Sequence, residues 1–215
     1  MEKTKKKADE HILVVKRSNL FENQEPWNGL QPVHTDYFAQ KVYRHKEFLP
    51  RTAMELNLDY KQIIPYLVFT HNNKYFLMQR CKDIGEQRLK NKISFGIGGH
   101  IRQEDIQDLN IASWARREFH EEVNYTGSLS IEPLGILNDD SNPVGQVHIG
   151  FVYLLKGNSA DISIKSEFTS GQLLSLENCS QHYQDMETWS QIIFDYLHTP
   201  QQCYSTRQNC YDKQV

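Results

Sequence analysis

A glycine-rich turn running into a helix with three glutamates on one face limits how this chain can fold more than any other feature. It occupies residues 96–125, GIGGHIRQEDIQDLNIASWARREFHEEVNY. An α-helix turns by about 100° per residue, so with Glu118 at zero, Glu122 lies near +40° and Glu121 near −60°. Ala112, Ala115, Phe119 and Val123 fall in the adjacent arc, at roughly +60° to +140°. Such a helix has to press its apolar stripe onto another layer and leave its acidic side at a surface. Like charges at i,i+3 and i,i+4 destabilise an isolated helix by a few tenths of a kcal/mol. A divalent cation would compensate, because hard cations take carboxylate oxygens.

The layer that receives the stripe is read from the apolar runs. Residues 63–70, IIPYLVFT, form a strongly apolar strand, and 75–79, YFLMQ, the returning strand of a hairpin with an Asn-rich turn between them. Residues 92–98, KISFGIG, read as one strand feeding the glycines. Strands are also expected at 12–16, 134–137, 147–155 and 162–165. The stretch between the first strand and Asp36 reads as loop, signalled by Pro26, Gly29 and Pro32. A helix follows from Asp36, whose aromatics Tyr37, Phe38, Tyr43 and Phe48 are candidates for core or pocket, and residues 51–57 add a helical turn. Residues 186–197, METWSQIIFDYL, are an amphipathic helix with Trp189, Ile192, Ile193, Tyr196 and Leu197 assigned to the core. This alternation predicts an α+β fold, a mixed sheet flanked by helices as an α/β/α sandwich.

The 215 residues suit one domain with elaborations. The expected division is an N-terminal extension over 1–58, a strand plus a helix packing on the core, then a main domain over 59–198 and a tail over 199–215. A net charge of −3 implies no global attraction to nucleic acid or acidic membrane. The lysines among the first ten residues read as a solvated terminus. Cys81, Cys179, Cys203 and Cys210 show no CxxC pairing, so neither a disulfide framework nor a zinc site is indicated, and a reducing cytoplasm is expected. No apolar run approaches the roughly 20 residues of a membrane span.

The order strand, glycine turn, then helix with Arg117, Glu118, Phe119, Glu121 and Glu122 resembles the box of the Nudix (MutT-like) hydrolases, G-x5-E-x7-REUxEExGU with U a bulky apolar residue. The surrounding strand order is similar over residues 60–197. The segment before the box, the GIGGHI spelling and METWS resemble a bacterial subgroup of about this length with an extra N-terminal segment. The first half of the box departs from the pattern. Counting back from Arg117 puts Leu109 in the acidic slot; counting forward from the glycines puts Glu104 or Asp105 there. An insertion in the loop before the helix accounts for both. Asn124 replaces the final glycine, with Asn the best non-glycine residue for a left-handed cap.

The resemblance implies divalent-metal-dependent hydrolysis of a pyrophosphate bond in a nucleoside diphosphate linked to another moiety. Glu118, Glu121 and Glu122 would bind Mg²⁺, with Mn²⁺ as a substitute, joined by a backbone carbonyl at Gly98 or Gly99. Arg117 would orient a carboxylate at i,i+4. Glu167 is the first candidate for a general base, with Asp139 and Asp140 second and turn formation their competing role. Arg80, Arg88 and Lys90 would meet phosphate, and Trp27, Tyr66 or Phe69 a base. His100 reads as structural. The partner is a small nucleotide-type molecule, with no membrane or DNA expected and a homodimer possible through the N-terminal segment. The alternative is a catalytically silent module of the same fold that binds a nucleotide or a protein. An isomerase is disfavoured, since nothing beside Cys81 or Cys179 marks a catalytic thiol.

Overall fold

The computed structural model describes residues 9–22, 24–32, 35–80, 91–105, 110–165 and 168–199. The chain enters as β1 (His11–Lys16), whose four central residues are buried. The stretch expected as loop contains helix α1 (Arg17–Phe21) and the short strand β2 (Gly29–Gln31). Pro26 and Gly29 do break the chain, but Leu20 and Phe21 ahead of them are apolar enough to be drawn into the core. Helix α2 (Thr35–His45) follows, and its buried Lys41 donates to the Leu20 carbonyl at 2.9 Å, closing the end of α1. Phe38 is buried there, whereas Tyr37 and Tyr43 are exposed. Strand β3 (Glu47–Pro50) and the single turn α3 (Arg51–Met54) complete this part.

Strand β4 (Tyr60–His71) is the axis of the molecule. Residues 61–70 are all buried, as a strand covered on both faces requires. Ile63, Leu67 and Phe69 enter one apolar cluster, Tyr66 and Val68 another, following the two-residue alternation of a strand. Asn72 and Asn73 turn the chain with φ of 47° and 60°, left-handed geometry that Asn tolerates, into β5 (Lys74–Arg80). The hairpin is paired only at Thr70–Tyr75 and His71–Lys74. Beyond that the two strands diverge. Into the fork come β6 (Ile93–Ser94) on β5 and β7 (Ile97–Gly98) on β4.

The single strand expected over 92–98 is thus two short ones, because the segment changes partner halfway. Phe95 is fully buried, and its backbone N–H donates to the Ser190 hydroxyl at 2.7 Å. At Gly96 a Cβ would lie 2.3 Å from the Tyr66 ring and 2.9 Å from the Leu67 carbonyl oxygen, so only glycine fits the crossing. β1 holds the segment beyond the glycines: Leu13 N–H donates to the Ile101 carbonyl at 2.7 Å.

Helix α4 (Ile111–Glu122) carries the acidic face and runs directly into β8 (Val123–Tyr125). After it come β9 (Leu129–Asn138), α5 (Pro143–Val147), β10 (His148–Gly157), β11 (Ile162–Ile164), β12 (Phe168–Ser175), α6 (Leu176–Cys179) and α7 (Thr188–His198). The main sheet has the order β12-β5-β4-β10-β9-β2, with β1 also on β4. β4 and β10 are parallel and their neighbours antiparallel, so the sheet is mixed. Helices α1, α2 and α4 bury their apolar residues in the cluster on one face, and α7 buries Ile193 and Phe194 on the other. The architecture is therefore the expected mixed sheet flanked by helices. Among the described residues no helix is long and apolar enough to cross a membrane.

At the start of β4 Lys61, fully buried, reaches Asp140 Oδ1 at 2.8 Å and the carbonyls of Gly145 and His148 at 2.7 and 3.1 Å. Burial pushes its ammonium down to about 8 against the pull of Asp140. Burial alone would raise the Asp140 carboxyl, but hydrogen bonds from Arg17 and Lys61 hold it below its ordinary value. Asp140 is thus the tie between α1, β4 and the loop before α5.

Candidate active site

Helix α4 is placed by its apolar stripe. Ala115 and Phe119 are fully buried, and the Phe119 ring stacks on Phe69 of β4, centroids 5.6 Å apart and 16° between planes. Burying a side chain of that size is worth about 1.5–3 kcal/mol. Asn110 caps the start of the helix, its side chain accepting from Ala112 N–H at 3.0 Å. The end differs from the left-handed cap expected at Asn124. Val123 is already extended, with φ −132° and ψ 154°, and Asn124 pairs with Ser163 in the β8–β11 ladder. Lys165 supplies the missing donors instead, its N–H reaching the Glu122 carbonyl at 2.9 Å and its ammonium the His120 carbonyl. With the carbonyls satisfied by the residue that follows β11, no glycine-like residue is needed.

The acidic side of α4 opens on a cleft of about 360 Å³. Glu118, Glu121 and Glu122 line it together with Gly98 and Gly99 at the mouth of the β4–β5 fork. The glycine turn and the helix meet closely. A Cβ on Gly99 would sit 1.9 Å from Glu118 Oε1, so the carboxylate lies directly over the bare backbone of that glycine. Glu122 Oε2 is buried, and Arg117 donates to Glu121 Oε1 at i,i+4. The donor set around this point is all oxygen, three carboxylates beside a glycine backbone, which suits a hard cation of the Mg²⁺ or Mn²⁺ kind.

Arg51, Arg80 and Arg102 also border the cleft, bringing positive charge to a space lined by carboxylates. Arg80 was read from sequence; Arg51, at the start of α3, and Arg102, bridged to β1, carried no motif to mark them. Arg88 and Lys90 lie outside the described residues, as does Glu167. Glu104 is in the short 3₁₀ turn Gln103–Asp105, with a side chain 63 % exposed and paired to Arg102 at 3.9 Å. It does not line the cleft. Asp139 is buried and accepts from Ser141 N–H and Asn142, the turn-forming role considered for it.

Of the three aromatics considered for base stacking, Phe69 is core and Trp27 packs edge-on against Phe21 and Phe38. Tyr66 reaches the cleft, but its hydroxyl is 2.9 Å from both Glu187 Oε1 and Ser190 Oγ. Burial, followed by the Glu187 charge, holds that phenol well above its ordinary range. Trp189, assigned to the core from its helical stripe, borders the cleft edge-on to Tyr66. The stripe is right for α7: Trp189 packs, half-buried, on the apolar cluster while also bordering the cleft. Glu187 itself is buried. It accepts from Ser94 Oγ at 2.7 Å and faces Arg80 Nε at 3.7 Å. Its position at the head of an amphipathic helix gave no sequence signal for this network.

His100 follows the glycines and meets His148, the first residue of β10, Nε2 to Nε2 at 3.3 Å. Burial, then the charges of Arg51 and His148, hold the His100 imidazole well below its ordinary range. His148 could have been noticed as a polar residue opening an otherwise apolar run. Cys179 is fully buried and burial pushes its thiol up to about 11, far from the reactive range.

No family model matches the chain. Over 208 residues it is 33% identical to Protein YmaB of Bacillus subtilis (strain 168), spanning 89% of this chain and 98% of that protein. It superposes on the crystal structure of Tm1382, proposed to be a Nudix hydrolase, with a TM-score of 0.74 and 29% identity over 87% of this chain and 98% of that one. DR0079 from Deinococcus radiodurans shares the fold at a TM-score of 0.50 and 14% identity, over 64% of this chain and 83% of that one.

Proposed function

Since this chain belongs to the Nudix hydrolase family, enzymes that act on phosphoanhydride bonds, we propose that it hydrolyses the pyrophosphate bond of a nucleoside diphosphate linked to another moiety. The observation that carries this reading is the cleft in which the Glu118 carboxylate rests on Gly99 beside Glu121 and Glu122. These three glutamates, with the Gly99 carbonyl, are the residues that would hold Mg²⁺, with Mn²⁺ able to substitute. When bound, the cation neutralises phosphate oxygens and lowers the pKa of water for attack.

The chain's own residues do the rest. Arg117 fixes the Glu121 carboxylate, so less side-chain freedom is lost when the site fills. Arg51 and Arg102 border the same space and supply charge for the phosphate not held on α4. The Glu187 network keeps Tyr66, and so the floor beneath Gly96 and Gly98, in one position. Glu167 remains the candidate for the group that takes a proton from water. Residues 59–198 form the catalytic unit in this reading, and 1–58 an extension that brings Glu10 and Arg51 to the cleft.

The test is a panel of ADP-ribose, dinucleoside polyphosphates, NADH and nucleotide sugars incubated with Mg²⁺, with products separated by chromatography. Release of a nucleoside monophosphate from at least one member is the expected result. Saturable Mg²⁺ binding by calorimetry with no product from any of them would favour a silent binding module instead.

A further inference from the structure

Beside the glycine turn, a second group of potential ligands lies outside α4. His100 and His148 face each other, and Glu55, just beyond α3, joins them. One donor atom from each lies within 4.8 Å of the others. The tautomers follow from the partners. His148 Nδ1 is 2.6 Å from the Val144 carbonyl oxygen, which can only accept. Nδ1 therefore carries the ring's proton and Nε2 presents a lone pair. His100 Nε2 lies 3.3 Å from that lone pair and 2.6 Å from the Gln62 amide oxygen. The Gln62 NH₂ is identified by its bond to the Met54 carbonyl at 3.2 Å, so the atom facing His100 is the oxygen. One imidazole proton thus sits among an imidazole nitrogen, an amide oxygen and a nearby carboxylate.

A place so rich in acceptors suits a cation. Two imidazole nitrogens bound at about 2.0–2.1 Å to one tetrahedral ion stand about 3.4 Å apart, and the observed spacing is 3.3 Å. The backbone carbonyl on the far nitrogen of His148 is the kind of partner that orients metal-bound histidines. We propose that Glu55, His100 and His148 form a second metal site, for a borderline transition-metal dication of the Zn²⁺ class, separate from the all-oxygen site on α4. On binding, the His100 proton moves from Nε2 to Nδ1 and the ion takes its place between the two rings. Both histidines border the cleft, so three protein donors leave a coordination position on the substrate side. That is the arrangement of a catalytic rather than a closed structural zinc site. The Glu55 carboxylate also accepts from Arg51 at 3.3 Å, a contact the ion competes with.

The site stands whether or not the hydrolase reading does. Its test uses the full-length chain labelled with ¹⁵N-histidine, in excess Mg²⁺ to occupy the α4 glutamates, titrated with Zn²⁺. Imidazole resonances of His100 and His148 are expected to move together at one equivalent, with His100 switching from the Nε2–H to the Nδ1–H tautomer. Glu55→Gln should weaken Zn²⁺ binding by at least about tenfold, while Glu121→Gln leaves it unchanged. If the two imidazoles do not respond, or if Zn²⁺ binding is lost in Glu121→Gln and kept in Glu55→Gln, the site does not exist and the histidines are only a hydrogen-bonded pair.

Discussion

Glu187 and the three glutamates of α4 border the same cleft, but their surroundings are opposite. Glu187 is 6 % exposed, and its oxygens are taken up by Tyr66, Ser94, Ser190 and Arg80. The Glu121 side chain is 47 % exposed, with Arg117 on one oxygen. Glu118 lies on a glycine that has no side chain to crowd it. Glu187 has met its donors within the fold, so its charge stabilises structure. The α4 acids are crowded on one helical face, where a hard cation would relieve their mutual repulsion. Lining a cleft therefore does not by itself mark a carboxylate as catalytic: Glu187 lines it as a member of a buried network.

Substitutions that treat the two regions alike should give opposite outcomes. Glu121→Gln or Glu122→Gln is expected to lower Mg²⁺-dependent kcat by at least about a hundredfold with the thermal midpoint nearly unchanged. Glu187→Ala should instead act first on stability. It leaves the Tyr66 and Ser94 hydroxyls and Arg80 facing a void, at a cost of about 3 kcal/mol in urea unfolding. A sharper version uses the two glycines. Gly96→Ala meets the Tyr66 ring and a backbone carbonyl, neither free to move, and should cost about 1–3 kcal/mol. At Gly99→Ala the three nearest atoms to the new Cβ all belong to the flexible end of Glu118, so stability should hardly change while Mg²⁺ affinity, read by calorimetry, falls about tenfold or more.

A last effect concerns pH. Lys61 loses its proton at about 8 in the folded chain against an ordinary 10.5. Between those values the unfolded chain holds a proton that the folded one does not. This group's contribution to stability therefore rises with pH across the window, by at most about 1.4 kcal/mol per unit. Urea unfolding at two pH values in that window, for the wild type and for Lys61→Met, isolates the slope, which the variant should lack.

The second half of the central stretch was legible because helical periodicity fixes faces. The spacing of Glu118, Glu121 and Glu122 against Ala115 and Phe119 dictated which side met the sheet, and Phe69 receives it. The mixed sheet was legible from its apolar runs, β4 above all. Features set by long-range partners were not. Nothing local says that residues 93–98 change strands in a fork, that Lys165 satisfies the end of α4, or that Arg51 and Glu187 reach the cleft. β12 was missed because FTSGQLLS mixes polar residues and glycine at a sheet edge, where only pairing with β5 makes it a strand. Trp189 shows the limit of a periodic stripe, which says that a face is covered and not by what.

The most direct test of the acidic face as a catalytic centre is the initial rate of pyrophosphate cleavage by wild type and Glu121→Gln, on the substrate most rapidly cleaved in the panel, with Mg²⁺ and with excess chelator. A metal-dependent hydrolase acting through α4 gives cleavage that chelator abolishes and that Glu121→Gln loses by at least about a hundredfold while folding normally. Equal rates in the two proteins, or rates indifferent to chelator, would contradict it.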